Sequence, residues 1–122
     1  MDNSHLHEVI ALKWFEAFNR HDLADLLALY DDEAIHLSPK LKIKFPETKG
    51  LVKGKEALKR WWQDSFTRLP DLHYEAKSIT ANENRVFMEY LRHVSGEPDF
   101  MVAEVLEITN GKIVKSTVYH SN

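Results

Sequence analysis

The chain has 122 residues, 43% hydrophobic and 29% charged, with a formal net charge of -3; this fits one globular domain over residues 1–122 and gives no electrostatic reason to expect a nucleic-acid partner. It has no cysteine, which excludes disulfides and thiolate catalysis. No apolar run is long enough to span a membrane, and the opening MDNSHLHEV lacks the apolar stretch of a secretion signal, so a cytoplasmic location is expected.

Asn3 or Ser4 can cap a first helix running to about Phe18, with Leu6, Ile10, Trp14 and Phe18 on one stripe. Asn19-Arg20-His21 stops it. Asp22 can cap a second helix by accepting from the free N–H groups of its first turn, where Asp25 adds negative charge. Leu23, Leu26, Leu27 and Tyr30 form the apolar face of that helix. Asp31-Asp32-Glu33 reads as a turn, and Ile35-His36-Leu37-Ser38 alternates like a strand that Pro39 ends. Lys40 to Gly54 forms an outer hairpin or a flap over a cavity mouth. For its Lys40–Phe45 part, an amphipathic edge strand with solvated lysines is the preferred reading.

Gly54-Lys55-Glu56 opens a third helix that buries Leu58, Trp61, Trp62 and Phe66, and Leu69-Pro70-Asp71 closes it. Four strands follow: Leu72–Ile79, Arg85–Val94, Phe100–Thr109 and Lys112–His120. The second is apolar on both faces, as at a sheet centre. Asn110-Gly111 is the strongest hairpin signal in the chain. Helices first and an antiparallel meander after them make an α+β protein with helices on one face of the sheet.

This order, with the Asn19…Asp22 turn, Leu29-Tyr30-Asp31-Asp32-Glu33-Ala34, Gly54, Leu69-Pro70-Asp71 and Asn110-Gly111-Lys112-Ile113-Val114, resembles the NTF2-like superfamily, which includes ketosteroid isomerases and SnoaL-like polyketide cyclases. The resemblance implies an α+β cone, with N-terminal helices on a strongly curved, mostly antiparallel sheet enclosing an apolar pocket. It also implies a homodimer through the outer sheet face, where Phe87, Leu91 and Val105 would otherwise be bare. With the family's strand phase, His36, Ser38, Met88, Tyr90, Arg92, Val102, Glu104, Leu106, Ser116, Val118 and His120 point inward. A register slip of one residue would reverse them all. The resembling isomerases use a first-helix tyrosine, a base aspartate on the short strand and a second acid on the third strand of the meander. Those positions fall on Trp14, Ser38 and Glu104, so the essential base is absent and steroid isomerisation by that route is not expected.

Glu104 sits in the apolar run Phe100–Leu106 and needs either a partner or its proton. It is a catalytic acid or base, or a structural ion-pair partner of Arg92. Arg92 is expected to lean toward the pocket mouth and pair only partly, leaving the Glu104 pKa raised. His36 is the candidate to replace the missing base, although a half-exposed strand histidine is the commoner case. Trp14 is expected to donate a hydrogen bond into the pocket. Tyr30, Ser38, Trp62, Met88, Tyr90, Arg92, Val118 and His120 complete the expected ligand-binding set. No spacing among the seven histidines and the acids matches a metal motif. The expectation is a small apolar ligand and cofactor-independent acid–base catalysis of isomerase, cyclase or dehydratase type. The alternative is a ligand-binding or dimerisation module of the same shape without chemistry.

Overall fold

The computed structural model describes residues 2–120. Helix α1 spans Ser4–Asn19 and α2 spans Leu23–Ala28. Strand β1 (Tyr30–Leu37), helix α3 (Pro39–Lys44), a short 3-10 turn, strand β2 (Leu51–Lys53) and helix α4 (Lys55–Arg68) follow. The meander is β3 (His73–Ala81), β4 (Arg85–His93), β5 (Phe100–Thr109) and β6 (Lys112–His120). The six strands form one curved, open sheet in the order β2-β1-β6-β5-β4-β3. Among the described residues only the β1–β6 pair is parallel, and no helix is long and apolar enough to cross a membrane.

The apolar stripes find their partners except at the start of α1, where Leu6 is 61% exposed. Helix α1 lies against β3 and β4, and α4 against β1 and β2. Trp14, Phe18, Leu26, Leu58 and Met88 are all buried, as the periodicity requires. Alternation along β4 and β5 sends Val86, Met88, Tyr90, Arg92, Val102, Glu104 and Leu106 to the helix-covered side. On the outer side Phe87 is exposed, while Leu91 and Val105 are half-buried. Asn110 (φ 52°) and Gly111 (φ 76°) both take the left-handed conformation demanded by the tight hairpin turn between β5 and β6.

Three readings of the sequence need correction. Lys40–Phe45 is not an edge strand. Ser38 is the N-cap residue and Pro39 the first residue of α3, a placement that suits proline because its missing N–H has no helical partner there. Leu41 and Phe45 then turn inward together, four residues apart. Second, β1 begins at Tyr30 and not Ile35; its polar Asp31-Asp32-Glu33 stretch lies where the pairing with β6 shifts register, which made it look like a turn. Tyr30 is therefore a strand residue and not part of the α2 face. Third, the N-cap of α1 is Asn3, and its side chain makes no capping bond.

The α1–α2 turn is also a clamp on the sheet. Asn19 Nδ2 donates to the Tyr74 carbonyl at 2.8 Å, and the Tyr74 N–H donates to Asn19 Oδ1 at 2.8 Å. The side-chain amide thus pairs with β3, an edge strand, as a neighbouring strand would. His21 adds a bond from Nε2 to the Leu72 carbonyl, 2.8 Å. Asn19→Ala leaves both Tyr74 backbone groups without this partner and should cost about 1–3 kcal/mol. Urea denaturation should show a lower midpoint with an unchanged slope; an unchanged midpoint would mean that water replaces the clamp.

Candidate functional site

The curved sheet and the helices leave between them a cavity of about 350 Å³, lined from both layers. That volume lies at the small end of the range for small-molecule pockets. Aromatic rings form much of its wall. Tyr74 stacks on Phe18 with centroids 4.1 Å apart and on Tyr90 at 4.2 Å, and Trp14 lies parallel to Phe18 at 5.3 Å. Trp62 borders His36 from α4.

Sheet register decides which polar groups meet. Glu104 on β5 is opposite Met88 on β4 and Val118 on β6. His36 on β1 is opposite Ser116 on β6, which in turn is opposite Leu106 on β5. Glu104 and His36 therefore stand two strands apart and two residues out of step. On a flat sheet that places their Cα atoms roughly 12 Å apart, and concave curvature turns both side chains toward the same space.

Glu104 is 2% exposed. Its Oε1 accepts from the Tyr90 hydroxyl at 2.7 Å, and its Oε2 is buried without a hydrogen-bond partner among the described residues. Burial disfavours the carboxylate and raises the pKa to about 8, against a smaller lowering by the Tyr90 bond. The ion pair with Arg92 is not formed. Arg92 Nη1 instead donates to Glu97 Oε1 at 2.8 Å, and this bond lowers the Glu97 pKa. Arg92 also lies over the Phe100 ring, 5.3 Å from its centroid.

His36 sits at the end of a buried relay. Trp14 Nε1 donates to the Tyr30 hydroxyl at 3.0 Å, Tyr30 donates to Ser116 Oγ at 3.4 Å, and Ser116 Oγ is 2.6 Å from His36 Nδ1. The indole N–H can only donate, so the Tyr30 hydroxyl accepts from it and sends its own proton on to Ser116. Among the described residues the Ser116 hydroxyl has no other acceptor than His36 Nδ1. That direction places the His36 proton on Nε2. Burial also lowers the His36 pKa to about 4, so the ring is neutral at pH 7. Burial likewise raises the Tyr30 pKa, with a smaller contribution from the Glu104 charge.

Of the residues singled out from the sequence, Trp14, His36, Ser38, Trp62, Tyr90, Arg92, Glu104, Val118 and His120 line the cavity. Tyr30 and Met88 do not. Tyr30 is held behind the wall by Trp14 and Trp62, and Met88 is wholly buried in the core. Trp14 presents its ring and not its N–H, which is engaged with Tyr30. Tyr74, Lys40, Lys44 and Glu97 are lining residues that the sequence reading passed over. For the two lysines the signal was present: Ser38-Pro39 marks a helix start, and positions 40 and 44 then share a face. Among the described residues no group of three His, Cys, Asp or Glu could hold a metal ion.

Comparison with known proteins agrees with this architecture. Residues 11–116 match the SnoaL-like domain. A SnoaL-like protein of unknown function from Burkholderia thailandensis superposes with a TM-score of 0.87 at 25% identity, covering 97% of this chain and 96% of that one. A candidate ketosteroid isomerase from Kribbella flavida superposes at 0.82 with 16% identity, covering 100% and 82%. A candidate polyketide cyclase from Sinorhizobium meliloti does so at 0.77 with 14% identity, covering 91% and 94%. No curated protein matches the chain in sequence.

Two opposite pH effects follow from the buried pair. The Glu104 pKa is higher folded (about 8) than unfolded (4.5), so its contribution to stability is full below pH 4.5 and is lost as pH rises to 8. The His36 pKa is lower folded (about 4) than unfolded (6.5), so its contribution is full above pH 6.5 and is lost as pH falls to 4. Thermal melts across this range should show Glu104→Gln gaining on the wild type as pH rises, by a few kcal/mol at pH 8. A Glu104→Gln loss of about 3–5 kcal/mol at pH 7 would instead mark a broken buried ion pair.

Proposed function

The chain belongs to the SnoaL-like family, within the NTF2-like superfamily, and we propose that it binds a small, mainly apolar carbonyl compound in its cavity and moves a proton at the carbon beside that carbonyl without a cofactor. The observation that carries this reading is Glu104 Oε2, a buried carboxyl oxygen of a cavity-lining residue with no hydrogen-bond partner among the described residues. A group needed only for structure would gain stability from a second hydrogen bond. A group that exchanges protons with a ligand needs that oxygen free.

The roles follow from protonation. With a pKa of about 8, roughly a tenth of Glu104 is carboxylate at pH 7, and that fraction is a stronger base than an ordinary carboxylate. Tyr90 holds Oε1, so Oε2 takes the proton from the carbon. The C–H electron pair moves into the new C=C bond and the carbonyl π pair onto oxygen. The same carboxyl then returns its proton to the original carbon or to one conjugated with it. His36 is not the base in this scheme. A neutral imidazole with its proton on Nε2 is a hydrogen-bond donor, suited to the developing enolate oxygen. A carboxylate base beside a neutral imidazole donor is a known arrangement for enolisation. Ser38 lines the same cavity and has no proton-transfer role in this scheme.

The direct test is deuterium wash-in at C1 of 2-tetralone, a small flat ketone, followed by NMR in D2O. The wild type should accelerate exchange, and the rate should rise with pH to a plateau above about 8. Glu104→Gln should remove the acceleration, by about 10²-fold or more. A rate that falls above pH 8 would make Glu104 the donor. Equal exchange by wild type and Glu104→Gln would reduce the protein to a binding module.

A further inference from the structure

Charge is distributed unevenly between this cavity and the rest of the chain. The whole chain has 16 Lys and Arg against 19 Asp and Glu. The cavity lining holds Lys40, Lys44, Arg68 and Arg92 against Glu97 and Glu104, and Glu104 is mostly protonated at pH 7. Arg68 is exposed and paired with Asp64 at 2.8 Å, Lys44 is exposed and Lys40 half-buried, so the cationic excess of this acidic protein's cavity lies at its rim. Three of these cations gather near the mouth by construction. Lys40 and Lys44 come from α3, one turn apart, and Arg92 comes from the last turn-ward end of β4. Lys40 Nζ lies 5.4 Å and the Arg92 guanidinium 5.3 Å from the centroid of the same Phe100 ring. Two cations packed on one ring repel each other, and the arrangement is favourable when an anion lies between them.

Arg92 is the built part of this cluster. It is 8% exposed, so its charge has left bulk water, and only Nη1 has a carboxylate partner among the described residues. That partner, Glu97, stands on the β4–β5 loop with a side chain 42% exposed. It touches one nitrogen of a fork that can grip a carboxylate by two. Among the described residues the remaining guanidinium nitrogens have no such partner, and His120 beside the cluster has its charged form disfavoured first by burial and then by the Lys40 and Arg92 charges.

We infer that the ligand of this cavity carries an acidic oxygen group, a carboxylate or a comparable anion, which Arg92 and Lys40 bind at the mouth while its apolar, carbonyl-bearing body reaches inward to Glu104 and His36. This rests on the cavity being the ligand site, and it replaces a purely apolar ligand by an amphipathic acid. Glu97 holds the place of the ligand's carboxylate when the cavity is empty and competes with it. The cations then select substrates by charge, and the neutral donors deeper in the cavity act on the carbonyl.

A matched pair of probes separates the charge inference from the cavity reading. 1-Naphthoate and 1-naphthamide have the same ring and nearly the same shape, and differ in charge. Binding can be followed by quenching of the tryptophans, since Trp14, Trp61 and Trp62 all line the cavity. The wild type should bind the carboxylate about tenfold or more tightly than the amide, because a desolvated guanidinium fork rewards a charged acceptor. Lys40→Gln should lower the ratio severalfold, and Arg92→Gln should bring it near one. Glu97→Gln, on an exposed loop, should raise the carboxylate-to-amide ratio severalfold above that of the wild type, which keeps the test usable if Arg92→Gln fails to fold. Equal binding of both probes would overturn the anionic ligand and leave the cavity as a site. Binding of neither at millimolar concentration would overturn both.

Discussion

A carboxyl group taken out of water keeps its proton unless something compensates the charge, and the arrangement around Glu104 withholds that compensation. The buried cation Arg92 is turned away to Glu97, and among the described residues one tyrosine hydroxyl is the only hydrogen-bond partner of the carboxyl. Keeping such a group costs stability above the usual carboxylate range. Replacing it by leucine or valine, in line with its strand neighbours Val102 and Leu106, would remove that cost. Under the proposed function, that cost is the cost of a proton-exchanging group held ready in the cavity.

The fold supplies the surroundings by register alone. Alternation on β5 aims Glu104 inward, and the β6 pairing sets Ser116 between His36 and the core. The relay from Trp14 through Tyr30 and Ser116 to His36 then joins α1, β1 and β6 by three hydrogen bonds. Each donor in it is committed by the one before, so an indole on a helix fixes which imidazole nitrogen faces the cavity. The clamp from Asn19 to β3 ties the end of the same helix to the sheet edge from which Tyr74 reaches the cavity wall.

Much of this was legible in the sequence because strands with one buried face write their phase into alternation. Phe100 to Leu106 could not be shifted by one residue without exposing Val102 and Leu106 and freeing Glu104. Asn110-Gly111 set the turn and hence the register of β6. Lys40–Phe45 misled because lysine and apolar residues alternating with period two satisfy a strand, while the Leu41–Phe45 spacing also satisfies a helix turn. The capping geometry at Ser38-Pro39 settled the choice. Side-chain pairing across loops was not legible. Nothing in the order of residues says that Arg92 reaches Glu97 and leaves Glu104, because that depends on the path of the loop from Ser95 to Asp99. Nor could the Trp14–Tyr30 bond be read, since Tyr30 was placed on a helix face and not at the start of a buried strand.

The central claim is that Glu104 is buried, unpaired and ready to exchange its proton near neutral pH. The most direct measurement is the titration of its carboxyl carbon by 13C NMR, assigned with the Glu104→Gln variant. The account predicts a midpoint near 8 that does not move in Arg92→Gln. A midpoint at or below 4.5 would contradict it, and would show that the carboxylate is charged and compensated in the folded protein.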